Sequence, residues 1–291
     1  MAARGSAADM GYQQDFAERA EVVSVEDAMK HLLVIALALV GILNVNPAPA
    51  ATVFITGADR GLGLEFTRQY AARGDTVIAT CRHPSSASEL QALAGKSKNV
   101  VIAQLDVSDD TSIKSVAAQY KGRPIDILIN NAGVLGKHED ETLGTFSRAG
   151  FHSVMDVNVF GVLAVSEALR DNVSASAQKK IIAITSGLGS VAVVELLGQV
   201  PYYYSMSKAA LNLGMAALGN DLKSRGVVVA VVSPGSVDTD MLAAFQKEYQ
   251  VKVNGLSASE SVSKMITVID ALDQQKATRG VNNYDGTIRP W

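Results

Sequence analysis

From Ala51 onward, short apolar, β-branched runs alternate with stretches of helical period. The runs cover 52–56, 76–80, 100–106, 125–130, 180–185 and 227–233. They are apolar almost throughout, whereas a strand wetted on one face would alternate apolar and polar residues. Such runs predict parallel strands covered on both faces. Between them, helices are predicted near 62–72, 108–119, 143–170 and 204–224. Strand and helix alternating in this way predict an α/β fold, a single doubly wound parallel sheet flanked by helices on both faces.

The first 50 residues follow another pattern. Residues 1–28 are polar and acid-leaning; then come Met29-Lys30-His31, an apolar run over 32–43, and Ala48-Pro49-Ala50. A short basic start, an apolar middle and a small-residue A-x-A site make 29–50 signal-like or anchor-like. The run falls short of the roughly 20 apolar residues of a membrane-spanning helix. The expected organisation is an N-terminal extension over 1–50 and one folded domain over 51–291. The extension implies export or a membrane tether through 32–43; the competing reading is an amphipathic extension or sequence upstream of the true start.

Composition narrows the function. With 291 residues, 48% of them hydrophobic, the chain can build one large α/β domain and a short appendage. A net charge of −3 with 19% charged residues leaves no basic footprint, so no nucleic-acid partner is expected. Cys81 is the single cysteine, so no intrachain disulfide can form, and its place at a strand end predicts a buried thiol. His31, His83, His138 and His152 show no metal-ligand spacing, and no metal site is expected.

The first strand runs into Thr56-Gly57-Ala58-Asp59-Arg60-Gly61-Leu62-Gly63. Gly57 permits a tight turn; Gly61 and Gly63 leave room where backbone approaches a pyrophosphate and where helix meets sheet. The amides that open the next helix then face the phosphates. A glycine turn so placed makes the sheet Rossmann-type, a binder of dinucleotides. NAD-binding turns usually meet an acidic residue about 20 positions on, at the end of the second strand. Here that strand ends in Cys81-Arg82, with no carboxylate. Arg82, and Arg60 within the turn, suit a 2′-phosphate, so NADP(H) is expected over NAD(H). Asp106, followed by Val107, ends the third strand, where its carboxylate could accept from an adenine amino group or cap the following helix.

Further on stand Asn130-Asn131-Ala132-Gly133 at the fourth strand's end, Asn158 in a helical stretch, and Ser186 after the fifth strand. Tyr204-Ser205-Met206-Ser207-Lys208 and Pro234-Gly235-Ser236-Val237-Asp238-Thr239 follow. Tyr204 and Lys208 share one helix face at i, i+4 spacing. A tyrosine with pKa near 10 is a poor proton donor or acceptor at neutrality, and a neighbouring ammonium is expected to lower that value. Ser186 can hold a carbonyl oxygen beside Tyr204, with Ser190 as a competitor for that role. Of the three consecutive tyrosines only Tyr204 has a lysine four residues on; Tyr202 and Tyr203 read as pocket wall or helix lead-in.

In this set and order, the chain from about 52 to 291 resembles the short-chain dehydrogenase/reductase family. The long segment between Ser186 and Tyr204, the Thr80–Pro84 stretch and the Asn283-to-Trp291 tail look like its sniffer and C-factor-like carbonyl reductase branch. The resemblance implies catalytic roles for Asn158, Ser186, Tyr204 and Lys208. It implies cofactor contacts from Gly57, Asp59, Arg60, Gly61, Leu62, Gly63, Arg82, Asp106, Val107, Asn131, Ala132, Gly133, Tyr204, Lys208, Pro234, Gly235, Val237 and Thr239. Lys208 would bind the nicotinamide ribose, Asn158 would hold a water linking that lysine to solvent, and Thr239 with the Val237 backbone would meet the carboxamide. The expected activity is interconversion of a small carbonyl compound and its alcohol, in a homodimer or homotetramer paired through the helices near 143–170 and 204–224. The apolar 191–200 segment borders the expected substrate entrance. The cofactor points to the cytoplasm, the 29–50 segment away from it. A dinucleotide-binding regulatory protein with little turnover is the alternative, though a mere binder has no need of a proton donor. A nucleotide-sugar epimerase is disfavoured by the glycine spacing and the short C-terminal region.

Overall fold

In the computed structural model the sheet has eight strands, ordered β3-β2-β1-β4-β5-β6-β7-β8. They are β1 (Thr52–Thr56), β2 (Thr76–Cys81), β3 (Val100–Gln104), β4 (Ile127–Asn130), β5 (Lys180–Ile184), β6 (Val228–Ser233), β7 (Val281–Asn283) and β8 (Ile288–Arg289). All neighbouring pairs are parallel except β7–β8, a closing antiparallel hairpin. The structure describes Lys30, residues 50–277 and residues 280–291. The rest of the 29–50 segment lies outside the described residues. Residues 50–291 form one compact unit.

The helices are α1 (Gly61–Arg73), α2 (Ser88–Lys96), α3 (Asp110–Gln119), α4 (Arg148–Met155), α5 (Gly161–Ser174), α6 (Val191–Val194), α7 (Tyr202–Leu222), α8 (Asp240–Glu248) and α9 (Ala258–Ala271). One π turn, Asp156–Phe160, joins α4 to α5. Alternate strand residues feed two cores. Val53, Ile55, Val77, Ala79, Ile127 and Ile129 pack with Phe66 and Tyr70 of α1, Leu90 of α2, and Val262, Met265 and Ile269 of α9. Phe54, Ile78, Leu128, Ile181 and Val229 pack on the other face with α3, α5 and α7. Burial on both faces explains why the strands read as unbroken apolar runs.

Several boundaries differ from expectation for local reasons. The helix predicted from 143 begins at Arg148, where the Ser147 hydroxyl accepts from the Gly150 amide as N-cap, and Leu143 stays exposed. Asp109, not Asp106, caps α3, accepting from the amides of Thr111 and Ser112. The helix α7 starts at Tyr202, so Tyr202 and Tyr203 belong to its first turn. α2, α6, α8, α9 and the β7–β8 hairpin were not predicted at all.

Candidate active site

The strand order reverses between β2–β1 and β1–β4, and at this switch point the carboxyl ends of β1 and β4 open a crevice. The glycine turn lines it, with Gly57 at φ 63° and Gly61 at φ 53°. A Cβ on Gly57 would stand 2.9 Å from Ala132 Cα, and one on Gly63 would overlap the Gly57 carbonyl and the Asn131 side chain. The Thr56 hydroxyl accepts from the amides of Asn131 and Ala132, both at 3.0 Å. Asn131 Nδ2 donates to the carbonyls of Thr56 (3.0 Å) and Gly57 (2.9 Å). Asn131 therefore knits the turn to the end of β4, and its side chain is turned into the protein rather than toward a ligand. The amides opening α1 have no intrahelical acceptor by geometry, which suits an anion, and the space kept free by glycine suits a pyrophosphate.

Around this turn the other expected residues fall into place. Asp59 and Leu62 lie within it, half-buried, and Val107 is buried below. Arg60 and Arg82 are exposed at the rim. Arg60 faces Asp240 of α8 across the crevice, Nη1 to Oδ2 3.6 Å. Burial raises the pKa of Asp106, but hydrogen bonds from Ser108 and the nearby Arg82 outweigh this and hold it below the ordinary carboxylate value. Cys81 is buried, and burial pushes its thiol pKa up. On the far side, Ser261 Oγ donates to the Pro234 carbonyl (2.8 Å), and Val237 bridges to Leu256. Gly235, at φ 74°, leaves no room for a Cβ against the Tyr284 ring. Thr239 caps α8, accepting from the Leu242 amide at 3.4 Å.

The proton-handling residues converge beside Gly133. Lys208 is buried, donates to the Ile184 carbonyl at 3.0 Å and places Nζ 5.4 Å from the centre of the Tyr204 ring. Burial pushes Lys208 down to about 8. Burial also pushes Tyr204 up to about 12, against the opposing influence of the Ser186 hydroxyl beside it. Where the sequence led us to expect a value lowered by the neighbouring ammonium, burial raises it, and Tyr204 is the neutral phenol at pH 7. Ser186, not Ser190, stands at the tyrosine; Ser190 is buried at the start of α6.

Asn158 sits in the π turn and is fully buried. Its Nδ2 donates to the Val134 carbonyl (2.9 Å) and to Ser207 Oγ (3.0 Å), while Oδ1 accepts from the Val134 amide (2.9 Å). One lone pair of Oδ1 remains, beside Gly133 and on the side of Lys208 Nζ: a Cβ built on Gly133 would lie 3.3 Å from the first and 3.7 Å from the second.

Two features escaped the sequence reading. Glu141 is buried and accepts from the Tyr203 amide at 2.5 Å and from the Tyr249 hydroxyl at 3.2 Å. An aromatic rim, Phe146 with Tyr202 (5.1 Å between centroids) and Phe151 with Tyr203 (5.6 Å), packs around the start of α7. Neither follows a local motif; both depend on the loop after β4 folding back onto α7.

Comparison with known proteins agrees with this geometry. The short chain dehydrogenase family model matches residues 51–250. An oxidoreductase of Schizosaccharomyces pombe is 31% identical over 82% of this chain and 97% of its own. The C-signal protein of Myxococcus xanthus is 35% identical over 58% of this chain and 93% of its own. The NADPH-bound carbonyl reductase from chicken fatty liver superposes with a TM-score of 0.74 at 31% identity, covering 83% of this chain and 99% of that one. The chain belongs to the short-chain dehydrogenase family, an oxidoreductase fold with its residues arranged as above. Within it, the chain falls on the branch of sniffer and C-factor-like carbonyl reductases.

Proposed function

We propose that this protein reduces an aldehyde or ketone to the alcohol with NADPH, Tyr204 giving the proton. The observation that carries the reading is the meeting of Tyr204, Ser186 and Lys208 beside Gly133, next to a glycine turn that leaves room for a pyrophosphate. NADP(H), when bound, supplies or accepts the hydride at the carbonyl carbon. The chain does the rest. The α1 amides hold the phosphates. Ser186 donates to the carbonyl oxygen and holds it beside the Tyr204 hydroxyl. Tyr204, protonated at neutral pH, releases its proton to that oxygen as negative charge grows there. Lys208, itself mostly charged at pH 7, then stabilises the phenolate, and Asn158 Oδ1 with Lys208 forms the route by which the proton is replaced. Thr239 and the Val237 backbone would hold the carboxamide.

The preference for NADP(H) over NAD(H) rests on Arg60 and Arg82 at the rim and on β2 ending without a carboxylate. A fairly apolar substrate is supported by the exposed Val191, Leu196, Leu197 and Tyr202 on the segments beside Tyr204. Pairing in a homodimer or homotetramer is supported by the exposed stripe Met206, Ala209, Leu213 and Ala217 along α7, with Phe160 on the neighbouring helix. Light scattering showing a monomer at micromolar concentration contradicts it. For residues 29–50 we take export or tethering as the working assignment. A mature chain starting near Ala51 indicates cleavage; an intact chain indicates a retained anchor or an ordered extension.

The test is NADPH and NADH titration by fluorescence, followed by NADPH oxidation with aldehydes, ketones and quinones. Tyr204→Phe should keep NADPH binding and lose roughly 10²- to 10⁴-fold in kcat. NADPH binding without turnover on any of these carbonyls overturns the reductase reading.

A further inference from the structure

Nothing near the start of α7 in sequence caps it. Its N-cap is Pro201, which makes no side-chain cap bond, and the amides of its first turn lack intrahelical acceptors. Glu141, 62 residues earlier in the chain, takes this place. It accepts from the Tyr203 amide at 2.5 Å, and the Tyr204 amide lies near enough to favour its charge. A carboxylate at a helix N-terminus is favoured by the helix dipole. Here it holds the residue that immediately precedes Tyr204.

The same carboxylate reaches a third element. The helix α8, which follows Thr239 and meets the glycine turn through Asp240 and Arg60, buries none of its own residues. Its anchor is Tyr249, immediately after it and buried. Tyr249 stacks on Phe245 (5.1 Å), meets the His138 ring edge-on (4.7 Å) and bonds Glu141 through its hydroxyl at 3.2 Å. His138 Nε2 is buried beside this pair with no hydrogen-bond partner among the described residues.

We propose that Glu141 is a positioning residue: its one carboxylate fixes the helical turn that carries Tyr204 and, through Tyr249, seats α8 beside the glycine turn. Seating of α8 and alignment of the proton donor are thereby joined at a single side chain. The kinetic part of the proposal rests on the reductase reading; the mechanical part does not.

The experiment compares wild type with Glu141→Ala, Glu141→Gln and Tyr249→Phe, each shown folded by circular dichroism. Hydrogen exchange is read first. Glu141→Ala should speed exchange about tenfold at 202–206 and in α8. Tyr249→Phe should do so in α8 only, and Glu141→Gln should stay near wild type, since its amide oxygen still accepts from Tyr203 and its NH₂ still reaches Tyr249. In turnover, Glu141→Ala should lose roughly 10- to 100-fold in kcat with NADPH affinity kept, Glu141→Gln should recover most of it, and Tyr249→Phe should raise KM for the carbonyl with kcat nearly unchanged. Unchanged exchange in Glu141→Ala, or a folded Glu141→Gln as impaired as Glu141→Ala, overturns the proposal. If wild type itself turns over no carbonyl while the exchange pattern is as expected, it is the reductase reading that fails and the coupling that stands.

Discussion

Lys208→Met should make this protein more stable while abolishing its catalysis. Lys208 is buried, and burial pulls its pKa from 10.5 to about 8. That difference corresponds to roughly 3 kcal/mol held against the folded state when the amine is charged. Methionine fills nearly the same space without charge but gives up the bond to the Ile184 carbonyl, worth about 1 kcal/mol. The net expectation is a gain of about 2 kcal/mol at pH 7. Its pH dependence identifies the cause. Between pH 8 and 10.5 the unfolded chain holds a proton on Lys208 that the folded chain has released, so wild-type stability rises with pH in that window. The variant's advantage is therefore full below pH 8, shrinks through the window and reverses above about 10.5, where only the lost bond to Ile184 remains and wild type is the more stable by about 1 kcal/mol. Urea unfolding of both proteins without cofactor at pH 7, 9 and 10.5 measures it, and the difference between them cancels the other titrating groups. A variant less stable at pH 7, or an advantage that does not shrink with pH, refutes the argument that the lysine is kept at a cost to the fold.

Gly63→Ala places a methyl group against the Gly57 carbonyl and the Asn131 side chain, so NADPH binding should fall below detection and the melting temperature should drop; normal NADPH affinity would show that the turn is not the phosphate cradle. Arg60→Ser with Arg82→Ser should weaken NADPH binding about tenfold or more and leave NADH binding nearly unchanged. Equal weakening of both cofactors in that titration would mean that the two arginines do not read the 2′-phosphate.

The sheet was legible because its strands are covered on both faces: β1 matches its predicted bounds, and the other central strands differ by one or two residues at an end. The turn, Asn158, Ser186, Tyr204 and Lys208 were legible as spaced motifs, and the structure brings them to one crevice. What escaped has physical reasons. α2 buries only Leu90, and α8 buries none of its own residues, so their short apolar stripes, Leu90 with Leu93 and Leu242 with Phe245, fall below the length that marks a core helix. α9 did carry a signal, Ser257 as cap with Glu260 three residues on, ahead of Val262, Met265 and Ile269. The true start of α7 and the part played by Glu141 depend on a contact across 62 residues, which no local pattern encodes. The upward push of burial on Tyr204 was not legible, because spacing reveals the neighbouring charge but not the depth of burial.

The π turn at Asp156–Phe160 carries one last consequence. A π turn takes up one residue more than the α-helical repeat, so the residues on either side of it keep the faces they would have in a straight helix. Removing one residue between Met155 and Gly161 would let the helix run straight with Val154, Val162, Val165 and Leu169 still turned to the core. The turn's own residues would move instead, and Asn158 would leave its place between Val134 and Ser207. A single-codon deletion here should therefore leave a folded protein that has lost its buried asparagine, whereas the same deletion inside a plain α-helix would turn one half of that helix out of the core.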